Sequence, residues 1–406
     1  MSGQGPGDSP ENPFGGIPFL GDLMKMLGAQ GGFRWDQSVQ IAMQLATEGR
    51  SEDNPDPLER IALEQLARVA ELQVARVTGL PTSTTGRPVS IVPVTRVMWI
   101  QRSADTYRPL FERLAGSLSS RGSTEEGEGV DEPGVDVGGD PMAAMWGNMV
   151  DALAPMMLSM TAGSMVGHLA RRSLGQYDLP IPRPGSDELM LVSANLATFG
   201  EQWSLPLEDL RLWVCLHEVA HHTVLGVPHV GEALSSMLAE FSAGFTADAR
   251  GLTDRLEDLS LDDPSSLQSL QETFGDPQVL LGAMRSDAQR ELLPRLEALV
   301  CTVVGVVDWV MDQVGGSIIG SYGQLSEALR RRRVEADASD RFVEQLLGLE
   351  LTQAAYDRGS AFVEGVVERA GPEGLEPLWT SARNLPTPND LDAPGLWLAR
   401  IELPDG

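Results

Sequence analysis

The chain has 406 residues, enough for one to three domains with a sizeable core, so a peptide hormone or a disulfide-stapled miniprotein is excluded. Lys and Arg total 30 against 58 Asp and Glu, and the resulting net charge of −28 repels phosphate backbones and anionic lipid; neither nucleic acid nor a membrane surface is an expected partner. The only cysteines, Cys215 and Cys301, lie in apolar runs, and no basic region followed by an apolar stretch opens the chain, so a reducing, cytoplasmic compartment is expected.

Residues 1–34 are rich in Gly and Pro and are expected to form a flexible tail with a short amphipathic patch at 17–27. A helical N-terminal region is expected over 35–119. It has strong periodicity at 57–78, carried by Leu58, Ile61, Leu63, Leu66, Val69, Leu72 and Val77, then an extended stretch at 88–94. A further helix at 95–119 has Pro109 as a predicted break. The acidic, Gly-rich segment 120–141 reads as a mobile surface insertion. Next, Pro155 divides an apolar, Met-rich stretch too short to span a bilayer, predicting a buried helix pair, and Gly163 and Gly167, four apart, allow another helix to come close. A short strand is expected at 188–192. Helices follow at 206–225, 231–250, 286–314, 322–335, 340–349 and 352–370. The expected class is mainly α with a minor β element, and residues 142–400 carry the chemistry.

That chemistry centres on 205–230, LPLEDLRLWVCLHEVAHHTVLGVPHV. Pro206 suits a helix start, Glu208 and Asp209 complement its positive end, and Gly226 with Pro228 stops it. Within the helix lies His217-Glu218-Val219-Ala220-His221, a pattern expected by chance in roughly one chain in two hundred of this composition. Side chains four apart share a helix face, so His217 and His221 can direct two imidazole nitrogens at one zinc ion. Glu218 can then act as general base on a zinc-bound water.

A catalytic zinc needs a third protein ligand and an open position. His229, eight residues beyond His221, is a candidate third ligand or a loop histidine capping its turn. Glu232 and Glu240 follow in the next segment. His222 reads as a flanking residue paired with a carboxylate, and His168, on the Met-rich stretch, as a core histidine.

The run LGQYDLPIP, the segment LRLWVCLHEVAHH, the stretch LEALVCTVVGVVDWVMDQVG at 296–315, ALRRRR at 328–333 and QLLGLEL at 345–351 together resemble the actinobacterial zincin-like zinc-dependent metallopeptidases, a poorly characterised group of hydrolases. The resemblance spans about 140–400. It implies a zincin-like helical domain, zinc as cofactor, His217 and His221 as ligands, Glu218 as catalytic base and a peptide or protein substrate. It also implies a downstream Glu-Gly-x-x-Asp whose glutamate completes the metal site. Here that place reads Val304-Gly305-Val306-Val307-Asp308. The glycine and aspartate match; the glutamate is a valine, which cannot bind zinc. Either Asp308 moves from orienting a ligand to binding the metal, or His229, Glu232 or Glu240 fills the gap, or the chain is a degenerate pseudo-metallopeptidase that keeps the fold as a helical protein-binding module.

Other features are weaker. Arg330 to Arg333 is the only dense basic run and is expected to pair with acidic helices, and Met142, Met145, Met149, Met156, Met157, Met160 and Met165 are expected to fill core or line a pliable groove. The acidic 120–141 segment and the N-terminal tail can instead recruit a protein partner irrespective of metal. No Walker motif, dinucleotide fingerprint or serine-nucleophile elbow is present.

Overall fold

In the computed structural model, residues 33–119, 141–245, 285–336 and 338–403 are described; the tail and the acidic insertion fall almost wholly outside them. The architecture is mainly helical, with one small parallel sheet.

Helix α1, Trp35–Thr47, packs on α4, Pro141–Arg172. The glycines predicted to allow close approach do so: a Cβ at Gly163 would lie 2.7 Å from the Ser38 carbonyl oxygen, and one at Gly167 would lie 2.9 Å from that of Ala42. The structure departs from expectation at Pro155. Helix α4 runs through it without a break, one helix where a pair was predicted. A proline removes a single donor and crowds one carbonyl, which neighbouring turns can absorb when the helix packs along its length. The same holds for Pro109, inside α3, Arg96–Ser119. Of the methionines, Met165 is buried, whereas Met156 and Met160 are exposed.

Helix α2, Pro57–Thr78, has the predicted bounds. The Asp56 carboxylate accepts from the Leu58 N–H at 2.9 Å, Pro57 opens the first turn, and Gly79 closes the helix at φ +69°. Its buried face is not the one the bulky residues suggest. Leu63, Ala67, Ala70 and Val74 face inward, and Leu58, Ile61, Val69 and Leu72 are exposed. Small residues let α2 lie against α6, Leu207–Leu225, so the face chosen is the one that permits close packing.

Strand β1, Ser90–Val94, pairs in parallel with β2, Glu188–Val192, in the register Ser90 to Glu188 through Val94 to Val192. On the other edge of β2 an antiparallel bridge joins Leu191 to Gly175, and the Val192 N–H donates to the Leu174 carbonyl at 2.9 Å. The 174–178 segment is thereby fixed beside α6.

After β2 come α5, Ser193–Gln202, then α6 and α7, Pro228–Ala243. Helix α8, Asp287–Ile318, opens with a Ser286/Gln289 capping box. It is long and apolar enough to cross a membrane, yet is mostly buried inside the protein as a core helix. It meets α11, Gln353–Ala370, at a glycine pair: a Cβ at Gly305 would stand 2.3 Å from the Gly359 carbonyl carbon. Helices α9, Tyr322–Val334, and α10, Ala338–Leu346, lie between α8 and α11 in the chain, and short helices end it. Helix α6 touches α2, α5, α7, α8, α9 and β2, so its side chains form the centre of the molecule.

Candidate metal centre

The histidine pair sits in the middle of α6. The His217 and His221 ring centroids are 4.3 Å apart with planes 56° from parallel. His217 stacks on Trp213 at 4.9 Å, and His221 lies parallel to the Tyr177 ring at 5.9 Å. The His221 Nδ1 is 3.1 Å from the His217 carbonyl, a bond in which the carbonyl accepts and Nε2 keeps its lone pair. Burial pushes the His217 imidazole down to about 3 and that of His221 well below its ordinary range. Both rings are therefore neutral at pH 7, the form that ligates metal.

Glu218 is buried and firmly held. Its Oε2 accepts from the backbone N–H groups of Gln176 at 2.7 Å and Tyr177 at 2.9 Å, while Oε1 lies 3.5 Å from His217 Nδ1. Gly175 leaves room for the carboxyl, because a Cβ there would fall 2.4 Å from Glu218 Cδ. The Gly175 carbonyl accepts from Trp99 Nε1 at 2.8 Å, which locks the segment in place. Burial, reinforced by Asp178, raises the Glu218 carboxyl to about 8 against the pull of the two amides. It keeps its proton at neutral pH.

Among the described residues no third donor joins the pair. Val304 is buried in α8, and Asp308 pairs with Arg333 at 3.3 and 3.4 Å, the guanidinium lying 3.8 Å over the Tyr356 ring. His229 Nε2 bonds the Leu378 carbonyl at 2.9 Å, Glu232 and Glu240 are exposed on α7, and His168 lines a different cavity. Asp178 takes the N–H groups of Leu174 and Gly175 on one oxygen and Arg332, at 3.0 Å, on the other. Among the described residues no three of His, Cys, Asp and Glu converge to hold a metal.

A cavity of about 80 Å³ opens beside His217 and Glu218, and Arg172, Arg332 and Arg333 contribute to its wall with Trp213. The Trp213 Nε1 is buried and has no hydrogen-bond partner. The carboxylates of Asp178 and Glu344 line the same wall as the three guanidiniums, and the orphaned indole N–H calls for an acceptor. Among the described residues the two imidazoles gain no third ligand, so those residues alone do not fit a catalytic zinc.

Residues 34–398 match the zincin-like metallopeptidase family. The chain belongs to that family. A solved structure from Chloroflexus aurantiacus, provisionally described as a hydrolase with a novel fold, superposes with a TM-score of 0.63 at 23% identity, covering 92% of this chain and all of that one. At that identity the likeness concerns the fold alone. No curated protein matches the chain.

Members of the zincin-like family normally bind zinc. Behind the histidine pair, His222 is paired with a carboxylate as expected, that of Asp187, in a second polar cluster whose other members the sequence did not expose. The Asp187 carboxylate accepts from Ser83 Oγ at 2.9 Å, from the Thr84 N–H and hydroxyl at 2.7 and 2.9 Å, from the Thr85 N–H at 3.0 Å and from the Thr85 hydroxyl. His222 Nε2 completes the set at 2.9 Å, and its Nδ1 accepts from the Tyr177 hydroxyl at 3.1 Å. The adjacent His221-His222 doublet was the available signal. Two histidines in succession on a helix point about 100° apart and must have different partners.

Proposed function

We propose that this chain is a zincin-like protein in which the metal-site helix persists without a working zinc centre, so that it binds a peptide or protein partner in the cytoplasm and does not hydrolyse it. One observation carries the reading. Where the family pattern calls for a ligating glutamate stands buried Val304, and one turn further on Asp308 is held by Arg333, whose guanidinium also lines the cleft beside His217. Removing one of three ligands from a zinc site costs most of its affinity. The single lysine among 30 basic residues further suits a GC-rich bacterial source such as the actinobacteria.

The test is zinc stoichiometry of untagged protein dialysed against zinc. Occupancy well below one per chain is expected, with little change in His217→Ala and a rise in Val304→Glu. A full equivalent of tightly held zinc that His217→Ala abolishes would overturn the reading in favour of a second one, a zinc-dependent peptide hydrolase. Membership of the family and the dry, neutral imidazole pair favour that alternative. In that case Glu218→Gln keeps the metal and loses hydrolysis.

A further inference from the structure

The largest cavity described in the molecule is elsewhere. A groove of about 740 Å³ runs between α3, which supplies Arg102, Asp105 and Arg113, the 181–190 segment, which supplies Arg183 and Glu188, and α7. That volume is in the range of sites that hold small ligands and short peptides. Its charged lining is three guanidiniums against two carboxylates, one net positive charge in a chain whose overall charge is −28.

Arg183 is the unusual member. In a chain with nearly twice as many acids as bases it has no carboxylate partner among the described residues. Its Nη1 donates to Ser103 Oγ at 3.1 Å, its guanidinium carbon lies 5.9 Å from the Tyr107 ring centroid, and its Nε is buried with no partner. Bonded to the hydroxyls of Ser103 and Tyr107 and to no carboxylate, the guanidinium keeps an uncompensated charge on the groove it lines, which a carboxylate reaching its Nη atoms would pair with. Arg102 is already spent on Glu188, whereas Arg113, exposed on α3, carries no ion pair among the described residues and offers a second cation. Asp105 and Glu188 disfavour a dianion. Apolar walls from Leu110, Ile181 and Leu238 suit the remainder of a peptide.

We propose that this groove binds a carboxylate-bearing peptide, with Arg183 as the anchoring residue and Arg113 as a secondary contact. The shared chemistry is the carboxylate, supplied by an acidic side chain or a chain terminus. The proposal deepens the reading of the chain as a binding protein and rests on it for the partner class. The groove shares no lining residue with the cavity beside His217, so zinc titration and peptide titration can fail independently.

The experiment is calorimetric titration of the full chain with three probes: acetyl-Ala-Ala-Glu-Ala-Ala-amide, its Gln counterpart, and acetyl-pentaalanine with a free carboxylate. One or both charged peptides should bind about tenfold more tightly than the neutral one, the size of one charge-assisted hydrogen bond. Whichever charged peptide binds better identifies the source of the carboxylate. Arg183→Met should weaken that binding about tenfold and Arg113→Ala about threefold, while Arg330→Ala, on α9, leaves it unchanged. Equal binding of charged and neutral peptides, no binding of any probe, or displacement by inorganic phosphate as effective as by the charged peptide would overturn the proposal. If Arg183→Met fails to fold, Arg113→Glu, on an exposed position, decides: wild-type affinity there also overturns it.

Discussion

Two polar clusters share helix α6, and they are opposites. The Asp187 carboxylate, behind the helix, receives donors from Ser83, Thr84, Thr85 and His222 until its lone pairs are filled. The His217, His221 and Glu218 cluster is as deeply buried, yet its imidazoles have lost water without gaining a charged partner, and Trp213 Nε1 beside them has no acceptor. Buried polar groups with every bond made contribute stability and hold a unique packing; those left short cost free energy and mark a place where something other than stability was once selected. One helix thus carries both a fully partnered polar clamp and a buried polar cluster left short of partners.

Breaking the clamp should have the largest effect. Asp187→Ala removes the acceptor of six donors; those of exposed Thr84 and Thr85 can turn to water while that of buried His222 cannot, and a loss of about 1–3 kcal/mol in urea unfolding is expected. A loss below about 1 kcal/mol would mean that the 83–85 loop is held by something else. Burial opposes ionisation of Asp187, but the bonds from Thr85, Thr84 and His222 outweigh it and keep the carboxyl well below its ordinary value of 3.8. Its contribution is therefore present at neutral pH and above 3.8, and is lost as the pH falls through the depressed value.

Glu218 has the opposite sign. Its ordinary value is 4.5 and the fold raises it to about 8, so the folded state holds a proton that the unfolded chain has released. Its contribution is greatest below 4.5 and erodes as the pH rises to about 8, with no further change beyond. Glu218→Gln keeps the shape and one acceptor oxygen for the Gln176 and Tyr177 amides while removing the titration. Unfolding curves collected across that interval should show a falling stability in the parent chain and a flatter profile in the variant. Parallel profiles would show that the carboxyl is already ionised in the fold, and the contrast with Asp187 would then collapse.

These clusters were unequally legible in the sequence. The histidine pair announces itself because one helical turn separates its members, and the bounds of α2 and β2 were readable because caps and short apolar runs are local signals. The Asp187 clamp joins residues about a hundred positions apart, and nothing in GSDEL distinguishes a filled carboxylate from a surface acid. Helix α2 shows a different limit. Periodicity located the helix, but packing on α6 selected the face with Ala67 and Ala70 and left Leu58 and Leu72 in solvent. Asp308 illustrates a third: its one-turn spacing from Val304 left metal binding open, and only the approach of Arg333 from α9 shows its carboxylate engaged elsewhere.

The smallest effect sharpens the comparison most. Trp213→Phe retains an aromatic ring against His217 and deletes the buried N–H that has no acceptor, together with the carbons of the second ring. Relief of that desolvation, worth about 1–3 kcal/mol, is set against the apolar area lost with the second ring, so the variant should be neutral or up to about 1 kcal/mol more stable. If an anion occupies the cleft in solution, the sign reverses: the indole then has its acceptor, and Phe costs about 1 kcal/mol. Melting both proteins with and without acetate separates the cases, since a bound acceptor stabilises the parent in proportion to its concentration and leaves Trp213→Phe less affected. A destabilised variant with no acetate dependence in either protein would mean that the indole nitrogen is satisfied by water, and that the cluster around the histidine pair is less starved of partners than its geometry indicates.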